Sequence, residues 1–375
     1  MMRVIFVLDK LDTGGLQRVN VTVVDKLRKS NDVKFVTIRN SKNELKTEAK
    51  VTNLIDTFIK KMIYFFLQII NYFSKLLFHR DSNLTNNFSS NLLIKYIVKN
   101  SPECVVLNGP SLVFGKKLKK TFPNLKVIMW MHNNSDVYLN SYFKNNKIML
   151  ISSMKFADKI VTLNKDDLLD YSKYSDNVIK IYNPITLKND ESYHSSLNNH
   201  VISVVSRIDP FHKGLDYLSE IASRLPDDWK ISIAGSGSKK KLKEFNKLIT
   251  KNNAEKKIVY NGNLYGKALK KHYLKSSIYL MTSRYEGFGL VLLEAMNFGL
   301  PIIAFSQSGS KEILNNGKYG ILVSNGDVEA MYEKLLDFIN DVNLREEYQQ
   351  KSIKRVKDFS LDAITKQWEK TINNL

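Results

Sequence analysis

The chain has 375 residues, is 43% apolar and 11% aromatic, and carries a formal charge of +20. That length exceeds one ordinary domain and suits two of roughly 100 to 200 residues each, and the lack of repetitive or Pro/Gly/Ser-rich stretches excludes a solenoid or a disordered chain. The charge is lopsided, with 29 basic against 15 acidic side chains in residues 1–183 and 28 against 22 in residues 184–375, so an anionic polymer, an anionic membrane leaflet or nucleic acid are all electrostatically compatible partners.

The chain opens with RVIFVL, an apolar run too short for a signal-peptide core and without a small-residue cleavage site, which predicts a first β-strand and a protein retained in the cytosol. The sole cysteine, Cys104, excludes an intramolecular disulfide and suits a reducing compartment. After the strand, Gly14-Gly15 precede a predicted helix from about Leu16 to Lys29, a turn that can bring backbone N–H groups against a phosphate. VKFVTI reads as the next strand.

From Ile55 to Leu77 the periodicity is helical. Ile55, Phe58, Met62, Phe65, Phe66, Ile69, Phe73, Leu76 and Leu77 form one stripe, with Lys60, Lys61, Gln68, Asn71 and Lys75 largely opposite. Polar residues interrupt it too often for a spanning helix. Such a helix either packs on the first sheet or lies on an anionic membrane surface.

CVVLNG, KVIMWMH and KIVTLN continue the alternation of strands with helices, the pattern of a parallel doubly wound sheet. The polar stretch from Ile181 to Asn199 contains Asn183-Pro184 and marks a domain boundary, giving domains 1–183 and 184–359. The second half repeats the rhythm with VISVVSR, WKISIAG, KIVYNG, IYLMTSR, LPIIAF and GILVS, and a last helix begins at Ser360 with an apolar face of Ala363, Ile364, Trp368 and Ile372.

Ligands on such sheets bind at the carboxyl ends of the strands, which singles out two junctions in the second half. VISVVSRIDPFHKG places Arg207 and Lys213 after a strand, two cations able to neutralise a diphosphate. SRYEGFGLVLLE places Glu286 in a turn, Gly287 and Gly289 where backbone approaches closely, and Glu294 about 7 Å further along a helix beginning near Gly289. The free N–H groups at Gly289 and Leu290 suit phosphate oxygens. IAGSGSKKKL has a glycine turn but no dinucleotide fingerprint, because Lys240 stands where the third glycine belongs.

Taken together these strings resemble the retaining glycosyltransferases of family 4, in the Glu-x7-Glu spacing with its Gly-Phe-Gly and in the Arg…Lys-Gly element, most specifically from Val201 to Gly326. Ser206 departs from the glycine many members carry there. The resemblance implies a GT-B fold, α/β, with two Rossmann-like doubly wound domains facing across a cleft, residues 1–183 binding the acceptor, residues 184–359 binding the nucleotide sugar, and helix 360–375 packing back on the first. It implies catalytic roles for Glu286, His132, Arg207 and Lys213. Donor binding would fall to Gly14, Gly15, Arg207, Lys213, Gly262, Leu264, Glu286, Gly287, Phe288, Gly289, Leu290 and Glu294, with His132 near the donor sugar and Gly262 and Leu264 by the nucleobase.

The implied reaction is transfer of a hexose or N-acetylhexosamine, with retention and without a metal, from a nucleotide diphosphate donor, UDP-sugar favoured. The acceptor would be a cell-envelope glycan, a teichoic-type polymer or a lipid-linked glycan. No Asp-x-Asp motif is present and no cofactor is expected. The enzyme would be cytoplasmic, with the 55–77 helix as the link to the inner membrane face. A protein acceptor, a nucleotide-sugar epimerase and a phosphorylase of the same architecture stay open. A nucleic-acid-binding protein would explain the charge, but no recognised module accompanies it.

Overall fold

The computed structural model describes residues 1–41, 45–78, 83–189 and 193–375. The chain divides into two compact units, Met1–Pro184 together with Leu361–Leu375, and Ile185–Ser360. The linker read from Ile181 to Asn199 is described except for residues 190–192, which lie outside the described residues.

In the first unit, β1 (Arg3–Leu8), β2 (Asp32–Thr37), β3 (Val51–Asn53), β4 (Cys104–Asn108), β5 (Lys126–Trp130), β6 (Lys159–Thr162) and β7 (Val178–Lys180) form one sheet in the order β3-β2-β1-β4-β5-β6-β7. Every pairing is parallel. Helices cover both faces, which is why β1 and β4 read as continuous apolar runs and are buried almost throughout. Alternate residues serve opposite faces. Ile5, Val7, Val105, Leu107, Val127 and Met129 share one core. Phe6 and Trp130 serve the other, where Trp368 of the last helix packs with ring centroids 6.0 and 4.5 Å away.

That last helix, Leu361–Asn373, buries Ile364, Thr365, Trp368 and Ile372 in the first unit. Ala363, read from the sequence as part of its apolar face, is exposed, and Thr365 takes the inward position. An ion pair from Lys26 to Asp362 and a hydrogen bond from Ser30 Oγ to Glu369 (2.5 Å) tie the helix to Gly15–Leu27 and the turn after it.

The long amphipathic helix runs from Phe58 to Phe78, so Ile55 lies outside it and is buried. Its inward side is the half-buried stripe of Lys60, Tyr64, Leu67, Asn71 and Ser74. Tyr64 touches the core and Asn71 donates to Thr85 Oγ1 at 2.9 Å. Most of the apolar stripe read from the sequence therefore faces away from the unit, which rules out its packing on the first sheet.

The second unit holds β8 (Val201–Val205), β9 (Lys230–Ala234), β10 (Ile258–Tyr260), β11 (Ile278–Met281), β12 (Ile302–Phe305) and β13 (Ile321–Val323) in the order β10-β9-β8-β11-β12-β13, again all parallel. Ile202, Val204, Ile231, Ile233, Ile278 and Leu280 meet Leu218, Leu335 and Phe338 of the covering helices. Both units are thus Rossmann-like and α/β. In each, strand order reverses direction once, between β1 and β4 and between β8 and β11, and such a switch point is where loops diverge and leave room for a ligand.

Candidate active site

In the second unit the switch point gathers the two junctions singled out from the sequence. The loop after β8 carries Arg207 and Lys213, and the turn after β11 carries Ser283 to Glu286. Lys213 Nζ is ion-paired with Glu286 Oε1, both side chains being largely buried. Ser283 Oγ donates to the same carboxylate oxygen at 3.0 Å.

The backbone holds this pair in place. Thr282 Oγ1 donates to the Lys213 carbonyl at 3.0 Å, and Arg284 N–H donates to the His212 carbonyl at 3.0 Å. Arg284 also forks onto Asp216 at 2.8 and 2.6 Å and lies over the ring of Tyr217, 3.9 Å from its centroid. Gly214, next to Lys213, has φ +60, and a Cβ there would sit 1.9 Å from the Thr282 carbonyl oxygen. Only glycine allows β11's end and the Lys213 loop to meet this closely.

Arg207 is exposed at the end of β8 and forms no ion pair among the described residues. Ser206 has no left-handed backbone, so this position does not require glycine. His212, between Lys213 and the exposed Phe211, is pushed down from the ordinary histidine range by burial and by the neighbouring Lys213 charge, which keeps it neutral near pH 7.

Glu286 is followed by half-buried Gly287, buried Phe288 and Gly289, whose φ of +92 caps the helix Leu290–Asn297. Leu290 is the first residue of that helix. Glu294, four residues in, is 1% exposed, with Tyr273 donating to Oε2 at 3.0 Å and Thr186 Oγ1 3.5 Å from Oε1. The carboxylates do stand at different depths, but Glu294 is inside the unit rather than on its surface. Gly262 and Leu264 follow β10, half-buried, the Gly262 carbonyl accepting from Gly235 N–H at 2.7 Å. With β9 between them, β10 and β8 end roughly 10 Å apart.

In the first unit, Gly14 and Gly15 start the helix Gly15–Leu27 after β1. Gly14 is extended and neither glycine is left-handed; they stand at a helix start without acidic residues in its first turn, where the Gln17 side chain lies over Gly14 in the space a Cβ would take. His132 follows β5 on the same edge. Its Nε2 is 2.9 Å from Asn108 Oδ1 at the end of β4 and 3.4 Å from Asn20 Nδ2 of the Gly15–Leu27 helix. Asn108 Nδ2 is committed to the carbonyls of Val7 and Val106, so its Oδ1 faces the histidine and accepts from an Nε2–H. Burial pushes the His132 pKa down to about 3. His132 is therefore a neutral ring, and the Asn108 contact favours the tautomer with its proton on Nε2.

Sequence reasoning missed Asn20, Asn108, Asp216, Tyr273 and Arg284. Asn108 was detectable, being a polar residue closing an apolar strand at its carboxyl end. Tyr273 and Asp216 were not, because their pairing depends on tertiary adjacency alone.

Residues 187–355 match the family described as glycosyl transferases group 1. The chain is 28% identical to an uncharacterized glycosyltransferase of Haemophilus influenzae over 97% of its own length and 98% of the relative's. It is 25% identical, over 99% and 98%, to an alpha-1,4-N-acetyl-D-galactosaminyltransferase of Campylobacter jejuni whose name specifies a PP-undecaprenol-linked glycan. Among solved structures, Anabaena HepE in complex with UDP and glucose superposes with a TM-score of 0.77 at 16% identity, covering 100% of both chains, which shows the GT-B fold. The chain is thus similar to glycosyltransferases along essentially its whole length, and its residues 187–355 resemble the group 1 glycosyl transferases in particular.

Proposed function

We propose that this glycosyltransferase is a retaining, metal-independent enzyme that moves a hexose or N-acetylhexosamine from a UDP-sugar to a cell-envelope or lipid-linked glycan. The observation that carries the reading is the largely buried Lys213–Glu286 pair at the β8/β11 switch point, with Arg207 exposed on the same loop after β8. Without donor, each charge neutralises the other. A bound donor offers both a better use: its diphosphate draws Lys213 and Arg207, and its sugar hydroxyls take up Glu286.

Gly287, Phe288, Gly289 and Leu290 would supply backbone N–H groups to the phosphates, Glu294 would reach the ribose by exchanging its 3.5 Å contact with Thr186 for a ribose hydroxyl, and the β10 turn at Gly262 and Leu264 would meet the base. The roughly 10 Å from that turn to β8 suits the span of a nucleoside between its base and its diphosphate. In the first unit, Gly14, Gly15 and His132 are assigned to the donor phosphate and sugar. His132, neutral with Nε2–H on Asn108, keeps Nδ1 as an acceptor for a sugar hydroxyl.

In the reaction the bond from the anomeric carbon to the diphosphate breaks and the acceptor oxygen attacks the same face. The acceptor's proton passes to the departing diphosphate, while Arg207 and Lys213 offset the charge that builds there. The choice of UDP is supported by HepE, which was crystallised with UDP and glucose. The choice of acceptor is supported by the PP-undecaprenol glycan named for the Campylobacter relative.

The test is a panel of nucleotide sugars with a lipid-linked glycan acceptor, reading nucleotide release and the anomeric configuration of the product by NMR. Acceptor-dependent UDP release, undiminished by EDTA, with the donor's configuration preserved is expected. An inverted product, or loss of activity with EDTA, would refute the mechanism. UDP-sugar converted without acceptor would instead indicate an epimerase.

A further inference from the structure

The helix Phe58–Phe78 is turned inside out for a surface helix. A helix on a globular protein normally buries its apolar stripe; this one buries Lys60, Tyr64, Leu67, Asn71 and Ser74 partly and leaves Phe58, Phe65, Phe66, Phe73, Leu76 and Leu77 each more than half exposed. Among its described residues, eleven large apolar side chains of this single helix are exposed. A patch of that kind is costly in water and marks a surface that something covers.

We propose that an anionic lipid bilayer covers it, the helix lying in the plane of the membrane surface. Three observations select this occupant. The helix contains no acidic residue, and Lys61, Gln68 and Lys75, spaced by sevens, run along one flank of the apolar face, where their stems can lie along it while their heads reach phosphate groups. Residues 1–183 carry the larger basic excess, 29 against 15. The exposed arc, from Phe65 round to Ile63 and Ile70 with only Ile69 half-buried within it, spans nearly half the helix circumference, as a bilayer interface takes, whereas a two-helix seam uses a narrower stripe. The helix cannot span instead, since no described helix is long and apolar enough to cross a membrane. This deepens the acceptor half of the function proposed above and rests on it for its purpose, but binding to lipid needs no turnover and is measured separately.

The test is flotation of the full-length protein with vesicles of phosphatidylcholine alone or mixed with phosphatidylglycerol. Comparison is with Phe65→Ser/Phe66→Ser/Phe73→Ser and with Lys61→Glu/Lys75→Glu, all surface substitutions. Wild type should float with the anionic vesicles, each variant should lose about tenfold or more of that binding, and raised salt should weaken it. Turnover of a soluble acceptor analogue should be unchanged in both variants. If wild type ignores anionic vesicles, or if the triple-serine variant binds them equally well, the proposal is overturned. It is also overturned if light scattering shows an oligomer that the triple-serine variant dissolves, because the face is then an interface between copies. Lipid binding without any turnover of nucleotide sugar would uphold the membrane surface and sink the catalytic reading instead.

Discussion

Glu286 and Lys213 are separated by 73 positions in the chain yet share one hydrogen bond, and neither is readily replaced alone. Removing one partner of a pair so little exposed leaves a charge without compensation. Glu286→Gln keeps the shape and the bond to Ser283 while removing the charge that would face the sugar. Its turnover should fall by about a hundredfold or more, since charge placed at the reacting centre commonly contributes on that scale, and its thermal midpoint should fall as well because Lys213 loses its counter-charge; turnover within a few fold of wild type in the folded variant would refute the role. The sequence exposed both residues as polar groups after apolar strands but could not show their contact, which follows from β8 and β11 being neighbours. His132 is a similar case: its place after β5 was legible, whereas its protonation is set by Asn108 and by burial.

Among elements, the strands were the most legible, because a parallel sheet covered on both faces demands apolar runs that stop at polar carboxyl ends. Helix faces were less so. The stripe from Ile55 to Leu77 was plain in the sequence, though Ile55 lies before the helix. Periodicity only divides a helix into two faces and does not say which one meets the protein. The turn between Lys213 and the helix Leu215–Ser223 is fixed by Gly214, and Gly214→Ala would force both a left-handed alanine and a collision with the Thr282 carbonyl. A loss of about 3 kcal/mol or more in urea unfolding is expected, and a loss below about 1 kcal/mol would show that the close approach is not kept in solution.

The helix Gly266–Leu274 makes a pH-dependent contribution. His272, buried against Ser203 Oγ at 2.8 Å, has its pKa pushed down by burial to about 4. A histidine lowered in the folded state is protonated first in the unfolded chain, so its contribution is intact above about pH 6.5 and is lost as the pH falls toward 4. The stability of wild type relative to His272→Gln should therefore decline by about 1.4 kcal/mol per pH unit across that window. A difference independent of pH would mean that the imidazole is not desolvated.

At the scale of the molecule, both units repeat one plan, and the second ends before the chain does. The last helix returns to the first unit and places Trp368 against Phe6 and Trp130. Trp368→Ala should destabilise the first unit by about 3–5 kcal/mol. In hydrogen exchange, amides of β1 and β5 should lose protection while those of β8 and β11 keep theirs. Equal loss in both units would show that the helix supports more than the sheet it covers.

Calorimetric titration of UDP into wild type and Lys213→Ala tests most directly whether the β8/β11 switch point holds the donor's diphosphate. Charge-assisted bonds are worth about 1.5–3 kcal/mol each, so the Kd for UDP should rise by about 10- to 150-fold in the variant. An unchanged Kd, in a variant shown to be folded, would place the nucleotide elsewhere and contradict the account.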